Sequence, residues 1–252
     1  MRYVRFIREG AIGYGVLDGT TVKVLDRSFL EGGKPSRSAV SLASVRLLAP
    51  TAPRTVVAIG LNYADHAKES GMPVPPEPFL FLKTPGSIIG PDEPIRLVAP
   101  DHRNDYEAEI VVVMKKDARN VPADCALDYV LGYTCGNDVS DRTYQKADSQ
   151  WVRAKACDTY GPIGPMVTDE IDPHNVRIRT RLNGVVKQDS NTNQMVFTIP
   201  QLVAHVTRYI ALVAGDVIFT GTPPGIGPMR SGDVVEVEIE GIGVLRNPVA
   251  TM

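Results

Sequence analysis

Residues 105–114 read DYEAEIVVVM, two glutamates one residue apart running straight into an apolar tract. As a strand, this stretch sends Glu107, Glu109, Val111 and Val113 to one face and Ala108, Ile110, Val112 and Met114 to the other. Both faces are apolar beyond the glutamates, so the strand reads as interior. Residues 236–240, EVEIE, make the contrast: Glu236, Glu238 and Glu240 take one face while Val235, Val237 and Ile239 take the opposite one, the plain alternation of a strand with one wet side. Neighbouring ionised carboxylates on a partly buried face repel each other and lose hydration, so they persist only with protons, cationic partners or a metal. A metal site, the face of an edge strand and an ion-pair cluster are the readings this stretch allows by itself.

Outward from this strand the chain reads as mainly β. RYVRFI, IGYGVL and TVKVL near the N-terminus are short strands, the last two joined by the turn pair Asp18-Gly19. They form a small β-rich lead-in over residues 1–50. APTAPRT at 49–55 links it to a main body at 54–252, which opens on the buried-looking strand TVVAIG. Prolines from Pro73 to Pro100 exclude long helices between 70 and 105, leaving extended segments and FLFLK. Two stretches read as helices. PADCALDYVLGY starts at Pro122, and TIPQLVAHVTRYIALVAG carries an apolar stripe of Ile199, Leu202, Val203, Val206, Ile210 and Val213, with Gly215 as its stop. AGDVIFTG and SGDVVEVEIEG are short strands with Gly-Asp turns, favouring a β-roll or barrel over regular βαβ alternation.

The 252 residues suffice for one core, or a main domain with a small appendage, and 43% apolar with 22% charged residues is the balance of a folded chain. A net charge of −2 gives no general drive toward nucleic acid or an anionic membrane, which favours a small-molecule partner. No signal-like N-terminus and no long uninterrupted apolar run is present, so the expected location is cytoplasmic. Cys125, Cys135 and Cys157 lack metal or redox spacing and are expected as reduced thiols.

Three further stretches carry chemistry. In GYTCGNDVSDR, 132–142, Asp138 follows the strand-like YVLGYT and can aim inward, or it can serve an Asx turn. With Glu107 and Glu109 it would complete an all-oxygen set suited to Mg²⁺ or Mn²⁺ rather than zinc. In GLNYADHAKES, 60–70, a short helix would place His66 and Glu69 on one face, either as a general-base pair or as an exposed helical pair, and the following SGMPVPP can hinge. In TGTPPGIG, 220–227, free amides with the Thr220 and Thr222 hydroxyls either bind a substrate carboxylate or belong to a plain loop. Arg177, Arg179 and Arg181 alternate with apolar residues and read as a solvated strand face.

GLNYADHAKE, DYEAEI, GYTCGNDVSDRTYQ, KACDTYGPIGP, NGVVKQ, GDVIFTGTPPGIG and GDVVEVEIEGIGVLRN, in this order, resemble the fumarylacetoacetate hydrolase family over residues 54–252, and residues 1–50 resemble the small N-terminal domain many members carry. The resemblance implies a mainly β, α+β fold built on a β-roll, with Mg²⁺ or Mn²⁺ on Glu107, Glu109 and Asp138. It implies a lid that brings His66 and Glu69 over the metal, Lys155 beside a substrate oxo group, and Arg142, Gln145 and Thr222 in contact with substrate. It also implies a homodimer that hydrolyses or decarboxylates 2-oxo acids or dicarboxylates through a metal-stabilised enolate. Isomerisation of hydroxy-diene dioates is the alternative, and a non-catalytic metal- and carboxylate-binding β-roll the outsider. Many relatives place an acidic residue directly after the arginine, whereas here the order is Asp141, Arg142, Thr143. CDTYGP is similar to subgroups labelled ureidoglycolate lyase or diene-dioate isomerase.

Overall fold

The computed structural model describes residues 1–69, 71 and 73–252. The strand Ala108–Met114 lies near the middle of a 12-stranded sheet, antiparallel to Val130–Asn137 on one side and to Val217–Phe219 on the other. Its two faces serve different cores. Ala108, Ile110, Val112 and Met114 join the largest apolar cluster, and Val111 and Val113 join a second one with Ile163, Val167 and Phe219. Each such buried valine or isoleucine stabilises the fold by roughly 1.5–3 kcal/mol, which makes this strand a fixed platform for the carboxylates at its start.

From one edge the sheet runs Pro35–Ser41, Thr21–Leu25, Ala11–Asp18, Arg2–Arg8, Gly161–Thr168, Val130–Asn137, Ala108–Met114, Val217–Phe219, Val56–Gly60 and Phe79–Lys83. The N-terminal strands thus extend the central sheet, since Arg2 and Tyr3 pair with Thr168 and Val167. A five-stranded sheet, Val185–Asn191, Arg177–Leu182, Val234–Ile239, Gly243–Thr251 and Ile95–Leu97, closes over the main core. Its Val235, Val237 and Ile239 are buried as the alternation requires. The arginine stripe shares the outer face with the glutamates: Arg179 and Arg181 both reach Glu238, and Arg177 is forked onto Asp189.

Among the described residues four α-helices interrupt the strands: α1 (Ala64–Glu69), α2 (Arg142–Ala147), α3 (Val152–Lys155) and α4 (Ile199–Tyr209). Thr198 and Gln201 form a capping box at the start of α4, and Ile199, Leu202, Val203 and Val206 seat it on the main core. Three expectations need correction. First, α4 stops at Tyr209, well before Gly215, because Ile210 turns extended and Leu212 bridges to Ala118. Second, Pro122 opens only a 3₁₀ segment, Ala123–Tyr129, after which the chain enters Val130–Asn137; the β-branched and aromatic residues there are taken up by sheet pairing. Third, DYEAEI is not one continuous strand. Asn104–Tyr106 belongs to a separate three-stranded sheet, and the ladder breaks at Glu107, whose N–H goes to Asn137 Oδ1 while the Ala108 N–H goes to Gln188 Oε1.

Gly136, opposite Glu109 in the ladder, is a position where only glycine fits. A Cβ there would lie 2.4 Å from Val111 Cγ2 and 2.8 Å from the Phe219 ring. Gly136→Ala is expected to cost about 1–3 kcal/mol by overpacking, read as a lowered denaturant midpoint at constant slope.

Candidate metal and substrate site

Glu107, Glu109 and Asp138 converge. One oxygen from each lies within 4.8 Å of the others, and all three side chains are buried. Glu109 starts the central strand, Glu107 occupies the break before it, and Asp138 follows the end of Val130–Asn137, its N–H donated to the Glu107 carbonyl. At an effective dielectric near 20, each pair of full charges at 4.8 Å repels by about 3.5 kcal/mol. Three carboxylates therefore need compensation.

Part of it is built in. Lys155, in the last turn of α3, donates to Glu107 Oε2 at 2.7 Å and Asp138 Oδ2 at 2.6 Å, and Lys83 Nζ donates to Asp138 Oδ1 at 2.6 Å. Arg142 contacts the remaining Glu107 oxygen and donates from Nε to Asp105 Oδ2 at 2.8 Å. Burial works against the Glu107 charge, but Arg142 and Lys155 outweigh it and hold this carboxyl well below the usual carboxylate range. Burial also opposes the Lys155 charge, and Asp138 and Glu107 more than offset it, so its pKa rises; Lys83, with a single carboxylate in direct contact, is lowered by the same burial. Glu109 has no ion-pair partner among the described residues. Among those residues it accepts the Gly221 N–H alone, at 2.7 Å, and burial, then the Asp138 and Glu107 charges, push its carboxyl well above the ordinary range. A site with one uncompensated buried carboxylate among three all-oxygen donors fits a hard divalent cation such as Mg²⁺ or Mn²⁺.

The carboxylates form one wall of a cavity of about 620 Å³. His66 and Glu69 of α1 also line it, with His66 Nδ1 3.1 Å from Glu69 Oε2. A carboxylate can only accept, so Glu69 takes the Nδ1–H and leaves Nε2 as the basic nitrogen. Arg142, Gln145, Lys155 and Thr222 line the same space. The three carboxylates, the His66–Glu69 pair, Lys155, Arg142, Gln145 and Thr222 thus share this one cavity, whereas Thr220 does not line it. The hinge read at 70–76 falls partly outside the described residues, at Ser70 and Met72.

The two readings of the 220–227 loop divide between its residues: the backbone amides of Gly221 and Gly225 are engaged within the protein, while Thr222 lines the cavity. The Gly221 amide is used by Glu109, the Gly225 amide by Glu69 at 3.0 Å, and the Thr220 hydroxyl by the Ile110 carbonyl, so these groups order the protein itself instead of meeting a substrate. Gly221 sits at φ 98°, and a Cβ there would be 2.7 Å from Asn62 Cβ. Asn62 fastens the loop through the Thr220 carbonyl, and Gln188, the last residue of NGVVKQ, donates to Thr222 Oγ1 and the Pro223 carbonyl.

Lys83, Asp105, Gln188 and Asn62 went unassigned in the sequence reading. Lys83 carried a usable signal, a lysine ending the apolar strand FLFLK, and Asp105 stands in the quoted stretch itself; Asn62 and Gln188 act through contacts far apart in sequence. Asp141 explains the altered order around Arg142: its carboxylate caps α2 by accepting the Thr143 and Tyr144 N–H groups and also holds His102 Nδ1.

The family model described as Fumarylacetoacetate (FAA) hydrolase C-terminal matches residues 55–250. This chain belongs to the fumarylacetoacetate hydrolase family. A second model, Rv2993c-like, N-terminal, matches residues 1–50. Among relatives, a protein of Archaeoglobus fulgidus is 52% identical over 208 residues, covering 82% of this chain and 83% of its own length. The human mitochondrial oxaloacetate tautomerase FAHD2A is 40% identical over 264 residues, 95% of this chain and 84% of its own. The crystal structure of 2-hydroxyhepta-2,4-diene-1,7-dioate isomerase from Mycobacterium marinum superposes with a TM-score of 0.92 at 37% identity, over 100% of this chain and 98% of that one. Members of this family act on oxo-acid and dicarboxylate substrates. No helix among the described residues is long and apolar enough to cross a membrane.

Proposed function

We propose that this chain is a divalent-cation-dependent enzyme that moves a proton on the carbon next to the keto group of a 2-oxo dicarboxylic acid. The observation that carries this is the placing of Lys155, bonded to Glu107 and Asp138, and the His66–Glu69 pair in one cavity. Glu107, Glu109 and Asp138 would hold Mg²⁺ or Mn²⁺, which when bound supplies Lewis acidity toward a 2-oxo carboxylate. Relatives named as a tautomerase and an isomerase carry out reactions in which no atoms are lost, and both need only this proton shift.

The residues divide the work. His66 Nε2 takes a proton from C3, and the C–H electron pair moves through C2 to the keto oxygen. Lys155 has three N–H donors, two of them committed to Glu107 and Asp138, so one remains to stabilise the developing negative charge on that oxygen. Glu69 holds the imidazole in the productive tautomer and stabilises the imidazolium that forms. The proton then returns to C3, to the keto oxygen or to the far end of a conjugated diene, giving a tautomer or an isomer. Arg142 and Gln145, joined at 2.7 Å, and Thr222 position the carboxylates. Cleavage of a carbon–carbon bond is the second reading, favoured by the same dyad because His66 could equally deprotonate a water.

Oxaloacetate with Mg²⁺ in D₂O separates the two. Proton transfer predicts deuterium entering C3, followed by NMR, at least about tenfold faster than pyruvate appears. Pyruvate forming at the exchange rate selects cleavage, and neither process above the uncatalysed background would overturn both.

A further inference from the structure

The part of the cavity wall contributed by α2 carries charge the proposed reaction leaves unused. Arg142, Gln145 and Lys146 stand at i, i+3 and i+4 on α2 and all line the cavity, the spacing that puts side chains on one helix face. Arg142 is committed to Asp105 and Glu107, and it donates to Gln145 as well. Lys146 lies one turn further on, about 6 Å along the axis. It is exposed at the cavity, and its ammonium takes part in no ion pair among the described residues. The other surplus candidate, Arg103, is already bound to Asp105 Oδ1 at 2.8 Å.

The charge balance of the cavity points the same way. Glu69, Asp105, Glu107, Glu109 and Asp138 face the permanent cations Arg103, Arg142, Lys146 and Lys155. A divalent ion held by the three convergent carboxylates then leaves one positive charge in excess, to which Lys83, bonded to Asp138 from behind and lowered in pKa by its burial, adds at most one more, the complement of an anionic substrate. The apolar wall of Ile59, Leu61, Phe81, Trp151 and Ile226 offers a hydrocarbon chain somewhere to lie.

We infer that Lys146 reads the far carboxylate of a 2-oxo dicarboxylate whose 2-oxo end is held at Glu107, Glu109 and Asp138. This rests on the function proposed above and makes Lys146 a specificity-determining residue at the open end of the site. Its position one helical turn beyond Arg142 suits a diacid longer than four carbons.

The test is calorimetric binding to the Mg²⁺-loaded protein of 2-oxoadipate and of 2-oxohexanoate, which have equal chain length and differ in the terminal carboxylate. The wild-type chain is expected to prefer the diacid, and Lys146→Met to reduce that preference by about fivefold to tenfold, the size of one partly screened ion pair. Lys146→Glu should reduce it further, and Lys146→Arg should keep it. A preference that Lys146→Met leaves within twofold, or one lost in Arg103→Met instead, overturns this inference alone. If neither acid binds the wild-type chain, the inference and the 2-oxo acid function fall together.

Discussion

Glu109→Gln is expected to abolish Mg²⁺ and Mn²⁺ binding and to lower turnover by at least about a thousandfold, which corresponds to the roughly 4 kcal/mol a Lewis acid supplies, while leaving the metal-free protein folded. The reason lies in how unequally the three carboxylates are supported. Glu107 and Asp138 hold lysine or arginine partners, whereas among the described residues Glu109 has the Gly221 N–H alone. Burial and the neighbouring Asp138 and Glu107 charges raise its pKa and so disfavour its charged form, and glutamine imitates the neutral acid in shape. The sign of the pH effect follows. A carboxyl whose folded pKa lies above its unfolded value makes the folded state bind the extra proton, so stability falls as pH rises from the ordinary glutamate range through the raised pKa. In chelator the wild-type chain should lose stability across that window, and Glu109→Gln should flatten the slope. Cation binding should also release a proton, measured by calorimetry in buffers of different ionisation enthalpy. Retained Mn²⁺ affinity within threefold in Glu109→Gln would remove the metal from this site.

The alternation of residues 105–114 was enough to divide Val111 and Val113 from Ala108, Ile110, Val112 and Met114 between two apolar cores, because strand periodicity is a local property of the backbone. It did not disclose the break at Glu107, since that depends on Asn137 and Gln188 arriving from elsewhere to take two backbone N–H groups. The stripe on α4 located its buried face correctly, and its end was decided by the Ala118–Leu212 bridge, which outcompetes a Gly215 stop. Within the site, His66 with Glu69 was legible from helical spacing. Its dependence on the 220–227 loop was not, for the Gly225 amide that steadies Glu69 lies 156 positions away. Sequence spacing identifies groups able to do chemistry, while the backbone donors that hold their carboxylates in place are set by topology.

His66→Ala is expected to lower the rate of C3 proton exchange by about a hundredfold to ten-thousandfold, the usual contribution of a positioned general base, with most of the change in kcat. Glu69→Gln should cost less. Glutamine keeps one oxygen to accept the His66 Nδ1–H; it loses the negative charge that stabilises the imidazolium as the proton is taken, and the second oxygen, which accepts the Gly225 N–H. A charge-assisted hydrogen bond exceeds a neutral one by roughly 1–1.5 kcal/mol, which is about tenfold in rate. If His66 and Glu69 act as one unit, adding Glu69→Gln to His66→Ala should cause almost no further loss, because the glutamate then has no imidazolium to stabilise. The exchange experiment in D₂O measures this directly, without requiring the chain to release a product. Lys155 is the competing base. Its contacts with Glu107 and Asp138 raise its pKa and keep it charged, which suits it to hydrogen-bond donation and makes it a poor proton acceptor. Exchange surviving in His66→Ala within threefold of wild type would therefore contradict both assignments at once, since the proton would have to reach a lysine that its own neighbours hold in the ammonium form.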